Sequence, residues 1–318
     1  MFRRVMKQIP AEVKLISGGG DAVKILGKDL VSRKIVWEEP NRGNEPPLFI
    51  AQKGVRHPTL TGVSWINDRM FVVNNRCGLR VALFDLENGD NPVCVGEIPI
   101  PTDAIAVRPV SKTKWEVLMS GCWSSIYSVF ELEIDEQASR LTFLYNRPHV
   151  DRTFSHGVAV SPKGEICVAL HAGKDPRIII GSEISRLPPP WGARDVCFDE
   201  KLQKSYAVAV SAPAQRVSYK QTSTSIWARD NSGKNWRPLA AIDNVHSDSC
   251  KIHGGRLWLA DQMGDRVIAF NLRTNHVEMV VEGRELDYPH TLSISEAGLL
   301  AVANYGNSAV VVFDIKDL

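Results

Sequence analysis

The chain has 318 residues, 44% apolar and 23% charged, and its 38 Lys and Arg against 36 Asp and Glu leave a formal net charge of +2. That is the composition of a soluble globular protein, and the near balance of charge argues against a dedicated nucleic-acid binder, which needs a basic face to displace counterions. The longest apolar runs, such as Ala309–Phe313, are far too short to cross a bilayer, so neither a nucleic acid nor a membrane is an expected partner.

Taken in chain order, Met1–Pro10 carries Arg3, Arg4 and Lys7 with no apolar stretch behind them. No secretory signal is expected there, and the expected compartment is the cytoplasm. The six cysteines are Cys77, Cys94, Cys122, Cys167, Cys197 and Cys250, with no CxxC pair and no zinc-finger spacing to histidine. Free, partly buried thiols are the expected state. Val13–Ser17 and Arg33–Trp37 read as strands. Beyond them, short apolar runs rich in Val, Ile, Phe and Trp recur between turn residues, and helical periodicity is nearly absent.

The runs repeat. Asn75–Leu86, Ser120–Leu132, Asp261–Leu272 and Asn304–Ile315 share one form: a polar residue, a tight turn, then an alternating strand that closes on Phe, an acid or amide, and Leu or Ile. Each copy follows another short alternating strand, as in Val63–Trp65, Ile105–Val107 and Leu292–Ile294. The residues two positions before these earlier strands mark the units: Thr61, Asp103, His156, Arg194, Asp248 and His290, spaced by 42, 53, 38, 54 and 42 residues. Units of that size hold four short strands, which is the requirement for a β-propeller blade. The fold predicted is all-β, a six-bladed propeller forming a single domain over 1–318, with seven blades as the alternative. Only 28 residues follow the last marker, room for three strands. The missing outer strand is expected from Val13–Ser17 or Arg33–Trp37, which would close the ring and remove an open sheet edge.

Two blades carry a resemblance. Ser155–Gly164, and Pro289–Gly298 with Leu300–Gly306, resemble blades of lactonase-type and NHL-type propellers. The resemblance implies the propeller fold, which hosts lactonases, lyases, sensors and scaffolds alike. Gluconolactonase-type members imply a metal held by one Glu, Asn residues and an Asp. This sequence offers Asn74, Asn304, Asp248 and Asp261, but Thr61 stands where an acid would help.

In a propeller the inner strand starts at one rim and the second strand returns to it. The six markers should therefore face a second column, Asn74, Ser120, His171, Ser211, Asp261 and Asn304, around one mouth. Two chemical readings of that ring stay open. In one, His156, His171 and His290 with Asp248 or Asp261 hold one divalent metal ion, the cofactor being otherwise unknown. In the other, His156 and His290 are general acid and base, while Arg194 clamps a carboxylate or phosphate. Against both stands a structural role, in which ring residues bond neighbouring backbone or channel water. Asp103, Asn74 and Asn304 join the ligand-binding set. Trp191, Tyr219 and Trp123, on loops at the same rim, are expected to cover or stack on a ligand. His57 and His246 read as surface-loop residues, and Trp65 and Trp258 as inter-blade core. No phosphate loop and no GxSxG elbow is present.

The expected function is binding of a small polar or anionic molecule at the channel mouth, with lactonase-like hydrolase or lyase chemistry. Whether the chain is an enzyme stays open. The alternative is a non-catalytic scaffold that holds a protein partner.

Overall fold

The computed structural model describes residues 14–17, 23–24, 32–37, 60–87, 93–121, 126–134, 139–148, 153–173, 175–189, 191–210, 222–233 and 235–318. These residues form six antiparallel four-stranded sheets arranged as a ring, an all-β six-bladed propeller. Blade 1 is Leu60–Trp65, Met70–Asn75, Arg80–Asp85 and Val93–Glu97; blade 2 is Thr102–Pro109, Lys114–Gly121, Ile126–Ile134 and Ser139–Pro148. Blade 3 is Phe154–Val160, Ile166–Ala172, Arg177–Ile180 and Glu183–Ser185; blade 4 is Ala193–Asp199, Lys204–Val210, Ser223–Asp230 and Arg237–Asp243. Blade 5 is Ser247–His253, Arg256–Asp261, Arg266–Asn271 and His276–Glu282. Blade 6 takes three strands from the C-terminal end, Pro289–Ile294, Leu299–Asn304 and Ala309–Asp314, and its fourth from Ser32–Val36.

That last pairing, Ala309↔Val36 through Phe313↔Ser32, closes the ring as expected from the residue count, using the second of the two candidate strands. The first candidate does something else. Lys14–Ser17 adds in parallel to the outer strand of blade 4, and Val23–Lys24 adds in parallel to that of blade 5. The early part of the chain thus runs along three successive blade edges and covers hydrogen-bonding groups that would otherwise be open to another strand.

The core lies between blades. Among the described residues, six clusters of buried apolar side chains lie one at each junction of the ring, and a small seventh joins Tyr288 and Tyr305. Trp65 is 7% exposed and Trp258 1%, both inside such clusters, as expected. Polar clasps supplement the packing. Thr61 Oγ1 donates to Thr102 O at 2.7 Å between blades 1 and 2, and Asp195 Oδ2 accepts from Cys250 N at 3.0 Å between blades 4 and 5. Thr291 Oγ1 donates to Thr61 O at 2.7 Å between blades 6 and 1. Cys77, Cys167, Cys197 and Cys250 are buried free thiols; Cys122 and the Cys94 side chain lie outside the described residues. No helix among the described residues is long and apolar enough to cross a membrane.

One irregularity recurs in all six blades. The pairing of inner strand with second strand slips at Leu60/Gly62, Thr102/Ile105, Ser155/Val158, Ala193/Asp195, Ser247/Cys250 and Pro289/Thr291. Every slip encloses one of the six marker residues. A bulge releases a residue from the ladder and re-aims its side chain. The fold therefore frees one or two residues per blade near the start of each inner strand without spoiling the alternation that buries the rest of the strand.

Candidate functional site at the channel mouth

Four of the six markers meet around one carboxylate. Asp248 Oδ2 lies 3.7 Å from His156 Nε2 and 3.9 Å from His290 Nε2, and Oδ1 lies 3.5 Å from Arg194 Nε. Oδ1 is also 3.5 Å from Nε2 of His246, the residue just before the inner strand of blade 5. His246 is 3% exposed, which corrects the reading of it as a surface-loop histidine. Its backbone N–H donates to Asp261 Oδ1 at 3.0 Å, and that bond draws the loop inward. His171 completes the group, its ring 5.4 Å from that of His156 and edge-on to it.

Burial alone would raise the Asp248 carboxyl. The Arg194 guanidinium and the His156 and His246 imidazoles outweigh it and hold the group well below the usual carboxylate range. His290 moves the other way: burial, working against the attraction of Asp248, pushes it down to about 4. Burial, helped by Arg194 and His156, also pushes His171 well below its ordinary value. At neutral pH the cluster holds an ionised carboxylate beside neutral imidazoles at His290 and His171. His290 Nδ1 faces Thr61 O at 2.8 Å, so Nδ1 carries the proton and Nε2 presents a lone pair. His156, His290 and Asp248 offer three candidate metal-ligand atoms within 4.8 Å of one another.

The remaining markers are placed differently. Thr61 bonds neighbouring blades through its hydroxyl and carbonyl. Asp103 lies 3.6 Å from Arg76 Nη1, and that same nitrogen donates to the Tyr305 hydroxyl. The Tyr305 ring stands 5.1 Å from that of His290, so this second group abuts the first.

The second column divides by register. Asp261 and Asn304 pair with the first residues of their inner strands, Ser247 and Pro289. In blades 1 to 3 it is Asn75, Gly121 and Ala172 that pair with the first residues, and Asn74, Ser120 and His171 stand one position earlier. Successive strand residues face opposite sides, so the two sets do different work. Asn74 Nδ2 donates to Thr61 Oγ1 and Thr102 Oγ1, both at 2.7 Å, and Ser120 Oγ donates to His156 O; both tie one blade to the next. Asp261 accepts from Arg266 Nε at 2.7 Å, and Asn304 Nδ2 donates to Glu285 O at 3.0 Å; both hold rim turns. Trp191 is buried between blades 3 and 4 against Trp227, where it borders a cavity of about 600 Å³ with Trp236 and Arg186. Trp123, Tyr219, Ser211 and His57 lie outside the described residues.

Sequence reasoning missed Arg76 and Tyr305. The signal was in the repeat: Asn75-Arg76, Asp261-Gln262 and Asn304-Tyr305 occupy one repeat position, and all six residues are buried.

No protein-family model and no curated protein matches the sequence. Solved structures do. A gluconolactonase from Xanthomonas campestris is similar at 14% identity and a TM-score of 0.59, over 89% of this chain and 97% of that one. The PQQ-bound aldose sugar dehydrogenase of Streptomyces coelicolor is similar at 11% identity and 0.59, over 89% and 98%. The WD40 propeller domain of Doa1 is similar at 11% and 0.55, over 82% and 94%. What they share with this chain is the fold. Enzymes and a repeat type known for protein interaction stand side by side among them, so the propeller alone does not select a chemistry.

Proposed function

We propose that the channel mouth binds a small polar or anionic molecule and carries out hydrolase chemistry there, with a cyclic ester as the favoured substrate class and its hydroxy acid as the anionic product. One observation carries the reading: the bulges of blades 3 to 6 bring His156, Arg194, Asp248 and His290 together, and with His246 they leave a buried, ionised Asp248 surrounded by three imidazoles and a guanidinium. Such perturbed groups gather at functional sites. Arg194, whose side chain keeps 13% of its surface exposed, is the group placed to grip the carboxylate of the hydroxy-acid product. In the hydrolytic step water adds to the ester carbonyl, its proton passes to an imidazole at the mouth, the ring C–O bond breaks, and the leaving oxygen takes a proton to give a hydroxy acid. The gluconolactonase among the similar structures supports this class.

The test is turnover of glucono-δ-lactone, followed by acid release, together with calorimetric binding of gluconate. Arg194→Ala should weaken gluconate binding by at least tenfold, about 1.4 kcal/mol. Absence of both turnover and Arg194-dependent binding across a panel of lactones and hydroxy acids would remove the proposal.

A scaffold role has its own observation. On the outer strand of blade 2, Phe143, Leu144 and Tyr145 are 48%, 43% and 41% exposed. Neighbouring apolar side chains on an outer strand are a feature of contact surfaces. Charge substitution of these three would abolish a partner contact there and leave the mouth untouched.

A further inference from the structure

Three ligand atoms at the mouth are arranged as a coordination site rather than as a hydrogen-bonded relay. In a relay, imidazole nitrogen and carboxylate oxygen approach to hydrogen-bond distance. Here His156 Nε2 and His290 Nε2 stand 3.7 and 3.9 Å from the same oxygen, Asp248 Oδ2. The bond from His290 Nδ1 to Thr61 O leaves Nε2 without a proton. With Asp248 Oδ2, these two nitrogens lie within 4.8 Å of one another, on residues that are only 3 to 5% exposed.

We propose that His156 Nε2, His290 Nε2 and Asp248 Oδ2 hold one first-row transition-metal ion of the zinc type, and that the site discriminates against calcium and magnesium. It rests on the mouth being the functional site and adds what occupies it. Bonds of about 2.0 to 2.2 Å around a tetrahedral ion place ligand atoms roughly 3.4 Å apart, so two of the three separations need only a few tenths of an ångström of closure. Imidazole nitrogen suits zinc, cobalt and nickel, whereas calcium and magnesium take oxygen sets. The set differs from the oxygen-rich one that the gluconolactonase resemblance implies, and from the expected His171, Asp248 and Asp261, because Asp261 is taken up by Arg266 and the His246 backbone.

The surroundings fit. The Thr61 carbonyl fixes the His290 tautomer, as outer partners of metal-bound imidazoles do. Arg194 and His246 face the other oxygen of Asp248. Three protein ligands leave a fourth position for water or a substrate oxygen, and the ion would supply Lewis-acid polarisation there. Asp248 and Arg194 cancel in charge, so the ion makes the centre of the mouth net positive, which favours an anion.

The test uses the full chain, stripped with a chelator and titrated with cobalt(II). One cobalt per chain is expected, with the visible bands of a tetrahedral nitrogen–oxygen site. Equimolar zinc should displace it, and a hundredfold excess of calcium or magnesium should not. His156→Ala and His290→Ala should each lose at least about a hundredfold in cobalt affinity, with metal-free melting curves showing that they fold. Asp248→Asn, which keeps the shape, should also lose affinity. Substoichiometric cobalt, displacement by calcium, or wild-type affinity in folded histidine variants would overturn the inference. Arg194-dependent gluconate binding in a protein that takes no metal would leave the functional reading standing and remove the ion. Tight cobalt binding with no anion dependence on Arg194 would support the ion and remove the functional reading.

Discussion

Trp37→Ala tests how the ring is held shut. Trp37 follows the strand that completes blade 6 and is 7% exposed, its ring 6.0 Å from Phe84 of blade 1 in an edge-on contact. Its neighbour Val36 is 51% exposed, while Ile35 is 1% exposed. Alternation thus sends Ile35 and Trp37 into the cluster between blades 6 and 1 and leaves Val36 outside. A buried indole removes roughly 150 to 250 Å² of surface from water, which at ~25 cal/mol per Å² is about 4 to 6 kcal/mol. Mutational series put Trp→Ala at about 3 to 5 kcal/mol. We therefore expect Trp37→Ala to lose about 4 kcal/mol, and Val36→Ala to stay within about 0.5 kcal/mol of the parent. Urea unfolding followed by far-ultraviolet circular dichroism measures both. Equal midpoints for the two variants would show that the early strand lies on the ring without holding it, and the closure argument would fail.

Two further predictions concern the mouth. Unfolded His290 takes a proton near 6.5, and folded His290 only at about 4. Between those values the unfolded state binds more protons, so stability contributed by neutral His290 is present above pH 6.5 and is lost as the pH falls toward 4, by roughly 3 kcal/mol. His290→Gln in metal-free buffer should flatten that slope; an unchanged slope would refute the assignment. Gly157→Ala should destabilise by about 1 to 3 kcal/mol and weaken gluconate binding. Its Cβ would stand 2.4 Å from Arg194 O and 2.7 Å from Asp195 Cα, backbone that a flexible side chain cannot relieve. A variant with parental melting and binding would contradict that close approach of blades 3 and 4.

The ring was legible because a repeat exposes its own register. Aligning short strands placed Thr61, Asp103, His156, Arg194, Asp248 and His290 near the start of six inner strands, and all six lie there. Side-chain direction was not legible. A shift of one residue turns a side chain to the opposite face of a sheet, and the column that grouped Asn74 with Asp261 mixed two faces. His246 was hidden for another reason. It lies outside any strand, and it is drawn inward by the Asp261 carboxylate, a contact between residues 15 apart. Arg76 and Tyr305 sit just past the second strands of blades 1 and 6, where apolar patterning has already ended.

The strand that closes blade 6 also sets a timetable. Val36 leaves the ribosome 273 residues ahead of Ala309, the residue it pairs with. At roughly 5 to 20 residues per second, that interval is about 15 to 55 s. Through it the segment has no partner, while blades 1 to 5 emerge in order and pack each on the one before. The circle is completed late, by this pairing together with contacts from blade 6 to blade 1 such as Thr291 to Thr61, and contacts between parts of the chain this distant fold slowly. A nascent propeller of this design spends most of its synthesis as an open arc with two bare blade faces, and those faces are where a chaperone, or a neighbouring nascent chain, would first find it.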